Sequence, residues 1–214
     1  DYVYSHALKG YAGRFSGAVL AALAADPRVE RIVPDQAVRL TDTQANATWG
    51  IDRIDQAALP LSKTYSYTSD GTGVKAYIID TGIRTTHADF GGRAIDGYDA
   101  VDGTLPAADC NGHGTHVAGT VGGATYGVAK GVTLVAVRVL DCAGSGTFAG
   151  VVAGIDWVTG DHQVGQPAVA NMSLGGSAYS PVDTAVANSI ADGIVYAVAA
   201  GNSTADACKY SPAR

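Results

Sequence analysis

The chain is short of basic residues, short of cysteine and without any long apolar run. Lys and Arg number 14 against 20 Asp and Glu, leaving a formal charge of −6. Binding a phosphate backbone needs a basic face, so nucleic acid is not an expected partner. Apolar stretches stop near nine residues, as at 17–25, well below the ~20 needed to cross a bilayer. No membrane partner is expected either. No basic stretch followed by an apolar one opens the sequence, so no signal peptide is visible. The chain starts at Asp1 rather than Met and stops at Arg214, and it reads as a piece of something longer. Internal repeats and low-complexity tracts are absent. Cys110, Cys142 and Cys208 make an odd count with no Cys-x-x-Cys pair, which argues against zinc. Two readings of them stay open: an extracellular disulfide protein with one partner missing, or a cytosolic enzyme with three buried thiols.

What is present is a core. Hydrophobic residues make up 47% of the 214 and charged ones 16%, enough for one large domain or one plus a fragment. The 28 glycines are nearly twice the usual share of about 7%. They lack a collagen-like period, so they belong to tight turns and close backbone approaches. Near the N-terminus, Ser16 can cap a helix over 17–25 that Pro27 ends, with strand-like pieces at 2–6 and 28–33. The polar stretch 41–48 has little to bury and reads as an exposed linker. From Trp49 onward, β-branched runs at 74–80, 132–140, 168–173 and 194–200 alternate with helix candidates at 113–123, 147–159 and 182–191. Such runs suit strands buried on both faces, so the pattern predicts an α/β fold around a mainly parallel sheet.

In such a sheet, function gathers at the carboxyl ends of the strands. Asp80 and Asn202 both fall there, and His113 opens a helix inside the glycine-rich segment 111–120. Taken singly, each has a plain structural reading. Asp80 could cap a helix, His113 could be structural, and Ala199-Ala200-Gly201-Asn202 could be a turn. His113 and His116 together could bind a metal, although no third ligand is evident. Asp80-Thr81-Gly82 also resembles an aspartic-protease loop, but that needs a second such lobe or a shorter, β-rich chain.

Taken together, Asp80, His113 placed 33 residues later, and Asn202 resemble a subtilisin-like serine protease of the proteinase K group, nearest to aqualysin-type secreted enzymes. The segments that carry this resemblance are 77–83, 110–120, 170–176 and 197–202, and it runs from Trp49 to Arg214. The first forty residues, with His6-Ala7-Leu8-Lys9-Gly10 and Asp26-Pro27-Arg28-Val29, resemble the second half of that family's inhibitory propeptide. The resemblance implies a three-layer subtilisin-like fold whose C-terminal part is missing, preceded by half of a small α+β propeptide. Residues 1–41 would be the propeptide portion and 42–214 the N-terminal part of the peptidase domain. His113 would be the general base, Asp80 its orienting partner, and the Asn202 amide an oxyanion donor, with His116 structural. Gly144-Ser145-Gly146 and Ser173-Leu174-Gly175 would hold an extended peptide as an added strand. Leu174 with Ala199, Ala200 and Gly201 would line an apolar or aromatic-leaning P1 pocket.

The family's nucleophilic serine sits in a Gly-Thr-Ser-Met-Ala motif, and no serine here has that context. The segment alone is therefore expected not to hydrolyse peptides, and the rival reading is a catalytically dead binding or inhibitory module. The resemblance also pairs Cys110 with Cys142, leaving Cys208 without its partner. It implies structural calcium, for which Asp52, Asp55 and Gln56 resemble part of a site, although Ser62 and Thr64 stand where better oxygen ligands are expected. Expected partners are protein or peptide substrates and the chain's own propeptide, acting as inhibitor and folding aid. The whole enzyme is expected to be secreted and monomeric.

Overall fold

The structure is a computed structural model that describes residues 2–5, 8–34 and 42–214. Two compact units divide at 40/41. In the first, β1 (Tyr2–Tyr4) pairs antiparallel with β2 (Gly10–Ala12), and α1 (Gly17–Ala24) follows. Ser16 caps α1 as expected, its hydroxyl accepting from the Val19 amide at 3.4 Å. None of the helix side chains is buried. The strand expected at 28–33 does not form. Arg28 is drawn instead onto Asp26, whose carboxylate takes both its amide and its guanidinium, and that local turn competes with extension. Of the first expected strand, Ser5 is outside β1, and His6 lies outside the described residues.

The second unit opens with β3 (Asp42–Ala45), α2 (Trp49–Ile54) and β4 (Thr64–Tyr67). The stretch expected to be a linker is thus partly a strand, because β3 pairs antiparallel with β4 from Asp42↔Tyr67 to Ala45↔Thr64. A backbone ladder does not require apolar side chains, and periodicity alone misses such a strand.

The central elements follow in order: β5 (Lys75–Asp80), β6 (Ala94–Asp99), α3 (His113–Gly122), β7 (Thr133–Arg138), α4 (Phe148–Asp161) and β8 (Ala168–Met172). Then come β9 (Gly176–Ser177), α5 (Ser180–Asp192), β10 (Val195–Val198) and β11 (Tyr210–Ser211). A five-stranded parallel sheet has the order β10-β8-β5-β7-β6, with β5 in the middle, and a short β9–β11 pair stands apart.

Alternation along the strands divides the core between the two faces. Ala76, Ile78, Leu134 and Ala136 pack with Ala118 of α3 and Phe90. Tyr77, Ile79, Val135 and Val137 pack with Val151, Ile155 and Val158 of α4 and with Val182 and Val186 of α5. Each of these larger side chains contributes roughly 1.5–3 kcal/mol on full burial, so the sheet is anchored from both sides. The result is the three-layer α/β arrangement expected, and Asp80, two residues beyond Ile78, falls on the α3 side of the middle strand.

Strand β6, at one edge of the sheet, carried no continuous apolar run because Asp96, Gly97 and Asp99 interrupt it. Its register shifts between Asp96 and Tyr98, and a Cβ on the intervening Gly97 would stand 2.7–2.8 Å from Val135, Ala136 and Trp157. No helix among the described residues is long and apolar enough to cross a membrane.

Candidate active site

Asp80 ends β5 fully buried, and His113 begins α3 with 49% of its side chain exposed. His113 Nδ1 lies 2.7 Å from Asp80 Oδ1. An ionised carboxylate can only accept, so Nδ1 carries the hydrogen and Nε2 is left as a bare acceptor. Asp80 Oδ1 also accepts the Thr81 amide at 2.7 Å, while Oδ2 is buried with no partner among the described residues.

The turn that delivers His113 is built for close approach. Gly114 sits where a Cβ would be 2.1 Å from the Gly82 carbonyl oxygen, and Gly82, at φ 97°, has the Ala107 carbonyl 2.4 Å from its own would-be Cβ. Only glycine fits at either position. The disulfide Cys110–Cys142 joins this turn to the segment after β7. Asn111 adds a second tie, its Nδ2 donating to the Cys142 carbonyl at 2.9 Å. Cys208 is exposed and free.

Beside His113 a cleft of about 590 Å³ is lined by Gly144, Ser145 and Gly146 on one wall and Ser173, Leu174 and Gly175 on the other. Asp141 shapes the first wall: its carboxylate accepts the amides of Ala143 and Ser145, both at 2.9 Å. On the second wall, Asn171 Nδ2 donates to Ser173 Oγ at 2.9 Å. Phe148 closes one end, stacked at 4.8 Å on Tyr179. The structure thus gathers six of the expected substrate-contacting residues around His113. It does not bring Ala199, Ala200, Gly201 or Asn202 into that lining. They follow β10 one strand away, where the Ala199 amide bonds to the Met172 carbonyl at 3.0 Å, and Asn202 is exposed.

Sequence reasoning gave no role to Thr81, Asp109, Asn111 or Phe148, although Thr81, Asn111 and Phe148 line the cleft. Asp109 had a usable signal. An Asp shortly before Asn-Gly is a turn signature in which the carboxylate takes backbone amides ahead of it.

The expected calcium ligands do not fit a cation. Both Asp52 oxygens accept amides, from Ser62 at 3.1 Å and Lys63 at 2.8 Å. Asp55 Oδ2 accepts the Ser66 amide at 2.6 Å, and Gln56 Oε1 that of Ser62 at 3.0 Å. Among the described residues one buried carboxylate oxygen here, Asp55 Oδ1, has no partner, whereas calcium needs roughly six to eight oxygens. These side chains pin the 62–66 segment through hydrogen bonds instead. No trio of His, Cys, Asp or Glu among the described residues could hold a metal, so His113 and His116 form no metal pair with a third ligand.

A buried aspartate thus lies against a half-exposed histidine, over a cleft with two walls at the carboxyl edge of a parallel sheet. The chain belongs to the subtilase family, which it matches over residues 71–214, and residues 1–41 match peptidase inhibitor I9. It is 58% identical over its whole length to an extracellular serine proteinase of Thermus sp. (strain Rt41A), covering 52% of that protein. It is 52% identical to alkaline serine exoprotease A of Vibrio alginolyticus, again over its whole length and covering 41% of that protein. The crystal structure of a cold adapted subtilisin-like serine proteinase matches 78% of this chain and 61% of its own, with a TM-score of 0.76 and 56% identity. The chain therefore spans about half the length of the curated relatives it matches.

Proposed function

We propose that the chain belongs to the precursor of a secreted subtilisin-like serine endopeptidase. Residues 1–41 are read as the C-terminal half of an inhibitory propeptide and 42–214 as the N-terminal part of the peptidase domain. The observation that carries the reading is the 2.7 Å contact between buried Asp80 and His113 at the lip of the cleft. His113 Nε2 takes the proton of a serine hydroxyl as that oxygen attacks the peptide carbonyl, and Asp80 holds the tautomer and stabilises the imidazolium. Asn202 donates to the oxyanion of the tetrahedral intermediate. The nucleophilic serine is assigned to the further length that the relatives possess. Substrate lies extended between 144–146 and 173–175, bound through its backbone. Leu174 with Ala199, Ala200 and Gly201 offers small, apolar P1 walls and a broad, apolar or aromatic-leaning preference.

The match to peptidase inhibitor I9 supports the propeptide as an intramolecular partner, inhibiting the enzyme and aiding its folding. Secretion is supported by the relative named as extracellular. The enzyme is read as a monomer without nucleic-acid or membrane partners. Structural calcium, implied by the family resemblance, is assigned to segments other than 52–56.

The test is the full-length gene product with a protein substrate and a serine-directed covalent inhibitor. Hydrolysis should be abolished by the inhibitor, and His113→Ala should lower kcat by about four orders of magnitude or more. A folded full-length protein without peptidase activity would instead favour a binding or inhibitory module.

A further inference from the structure

We propose that Asp109 is a positioning residue that sets His113 against Asp80. Its catalytic consequence rests on the peptidase reading above, while its geometry is independent of that reading. Asp109 Oδ1 accepts the amides of Asn111 at 2.9 Å and Gly112 at 2.8 Å, and the hydroxyl of Thr81 at 2.9 Å. Oδ2 accepts the amide of Thr115 at 2.9 Å and its hydroxyl at 2.6 Å. Thr81 Oγ1, having given its hydrogen to Asp109, accepts the Gly114 amide at 2.9 Å. One carboxylate thereby holds, directly or through one hydroxyl, the amides of 111, 112, 114 and 115. The remaining amide, that of His113 itself, goes to Asn111 Oδ1 at 3.2 Å.

Thr81 makes this more than a turn cap. It follows Asp80 in the chain, and its own amide is bound to Asp80 Oδ1. The link from Asp109 through Thr81 therefore ties the end of β5, which carries the orienting carboxylate, to the start of α3, which carries the base. Burial works to raise the pKa of Asp109, but the Gly112, Thr115 and Asn111 amides and the Thr115 hydroxyl outweigh it and hold the carboxyl below its usual range. The carboxylate form is thus the favoured one, and its bonds are the stronger, charge-assisted kind. Misplacing a reacting group by about 1 Å can lower a rate roughly 100-fold, so a clamp on every amide around His113 acts directly on turnover.

The experiment compares Asp109→Ala, Asp109→Asn and Thr81→Val with the unaltered full-length enzyme. Two readouts are used: kcat and KM on a short chromogenic peptide, and the downfield proton resonance of His113 Nδ1–H bonded to Asp80. Asp109→Ala should lower kcat about 10- to 100-fold with KM changed less than about threefold, and should broaden or abolish the resonance. Asp109→Asn keeps the three acceptor bonds at Oδ1 but loses the charge and sets Nδ2, a donor, against the Thr115 amide, so both readouts should fall between those of Asp109→Ala and the unaltered enzyme. Thr81→Val, nearly the same size, should lower kcat about tenfold, and it carries the test if Asp109→Ala does not fold. An unchanged kcat and resonance in the variants that fold, or an Asn variant no better than Ala, overturns the proposal. If the unaltered protein has no peptidase activity while the resonance follows this order, the peptidase reading falls and the positioning role stands.

Discussion

His162 Nδ1 and Asp192 Oδ2 lie 2.7 Å apart and join the carboxyl ends of α4 and α5, while Nε2 of the same ring meets the Gln166 carbonyl at 2.9 Å. Both ring nitrogens face acceptors, an arrangement only the doubly protonated imidazolium satisfies. The Asp192 carboxylate and then the Gln166 carbonyl raise the His162 pKa, against burial and the more distant Lys75 charge.

Because the folded pKa is raised, the stability contributed by this latch is fully present below the unfolded value of about 6.5 and is lost as pH rises through the folded value. Urea midpoints measured at a series of pH values, on the full-length protein inactivated by His113→Ala to prevent autolysis, should show a decline above pH ~6.5 that His162→Gln removes. Identical pH profiles for the two proteins would rule the latch out.

Gly114→Ala should be disproportionately harmful for a single methyl group. Its Cβ would meet the Gly82 carbonyl at 2.1 Å and Thr81 Oγ1 at 3.1 Å, and the nearer of these is backbone that cannot swing aside. Overpacking of this kind costs about 1–3 kcal/mol, and relief by shifting the turn would move His113 off Asp80. The expected result is a lower unfolding midpoint together with a reduced kcat. A variant with native kcat would show that the turn yields elsewhere.

The Cys110–Cys142 bridge closes a sequence separation of 32 residues. In the chain-entropy treatment that closure contributes roughly 3–4 kcal/mol. The double replacement Cys110→Ser, Cys142→Ser should lower stability by about that amount, read from denaturant midpoints. Peptide mapping of non-reduced material should recover this crosslink. A crosslink from Cys208 to either partner would contradict the structure.

The parts of the fold legible in the sequence were those that bury apolar side chains on two faces. Strands β5, β7 and β8 and helices α3, α4 and α5 fall within a few residues of their expected places because runs such as Tyr77-Ile78-Ile79 have no other use; β10 also forms where expected, but as an edge strand with Val195 exposed rather than buried on both faces. Asp80 and His113 were legible through the motifs around them. The short strands β2, β3, β4, β9 and β11 and the longer β6 were not, since each is held by backbone pairing with side chains of mixed polarity. Asp52, Asp55 and Gln56 misled for a related reason: carboxylates and amides spaced for a cation serve equally to bind backbone amides. Asp109, ahead of Asn111-Gly112, carried a turn signature, but its ties to the Thr81 and Thr115 hydroxyls exist only once the fold brings those residues to it.

The separation of 33 residues between Asp80 and His113 bears on the order of assembly. Loop-closure entropy grows only as the logarithm of length. The pairing of β5 with β8 brings Lys75 to Ala168, a loop of roughly 90 residues that costs about 0.9 kcal/mol more to close than the Asp80–His113 loop. Of the groups that orient the base, Asp80, Thr81, Asp109 and Asn111 lie inside the shorter loop, and Thr115 stands two residues beyond its end. On chain entropy alone, the proton-handling pair can be in place while the sheet beneath the far wall of the cleft is still being laid down.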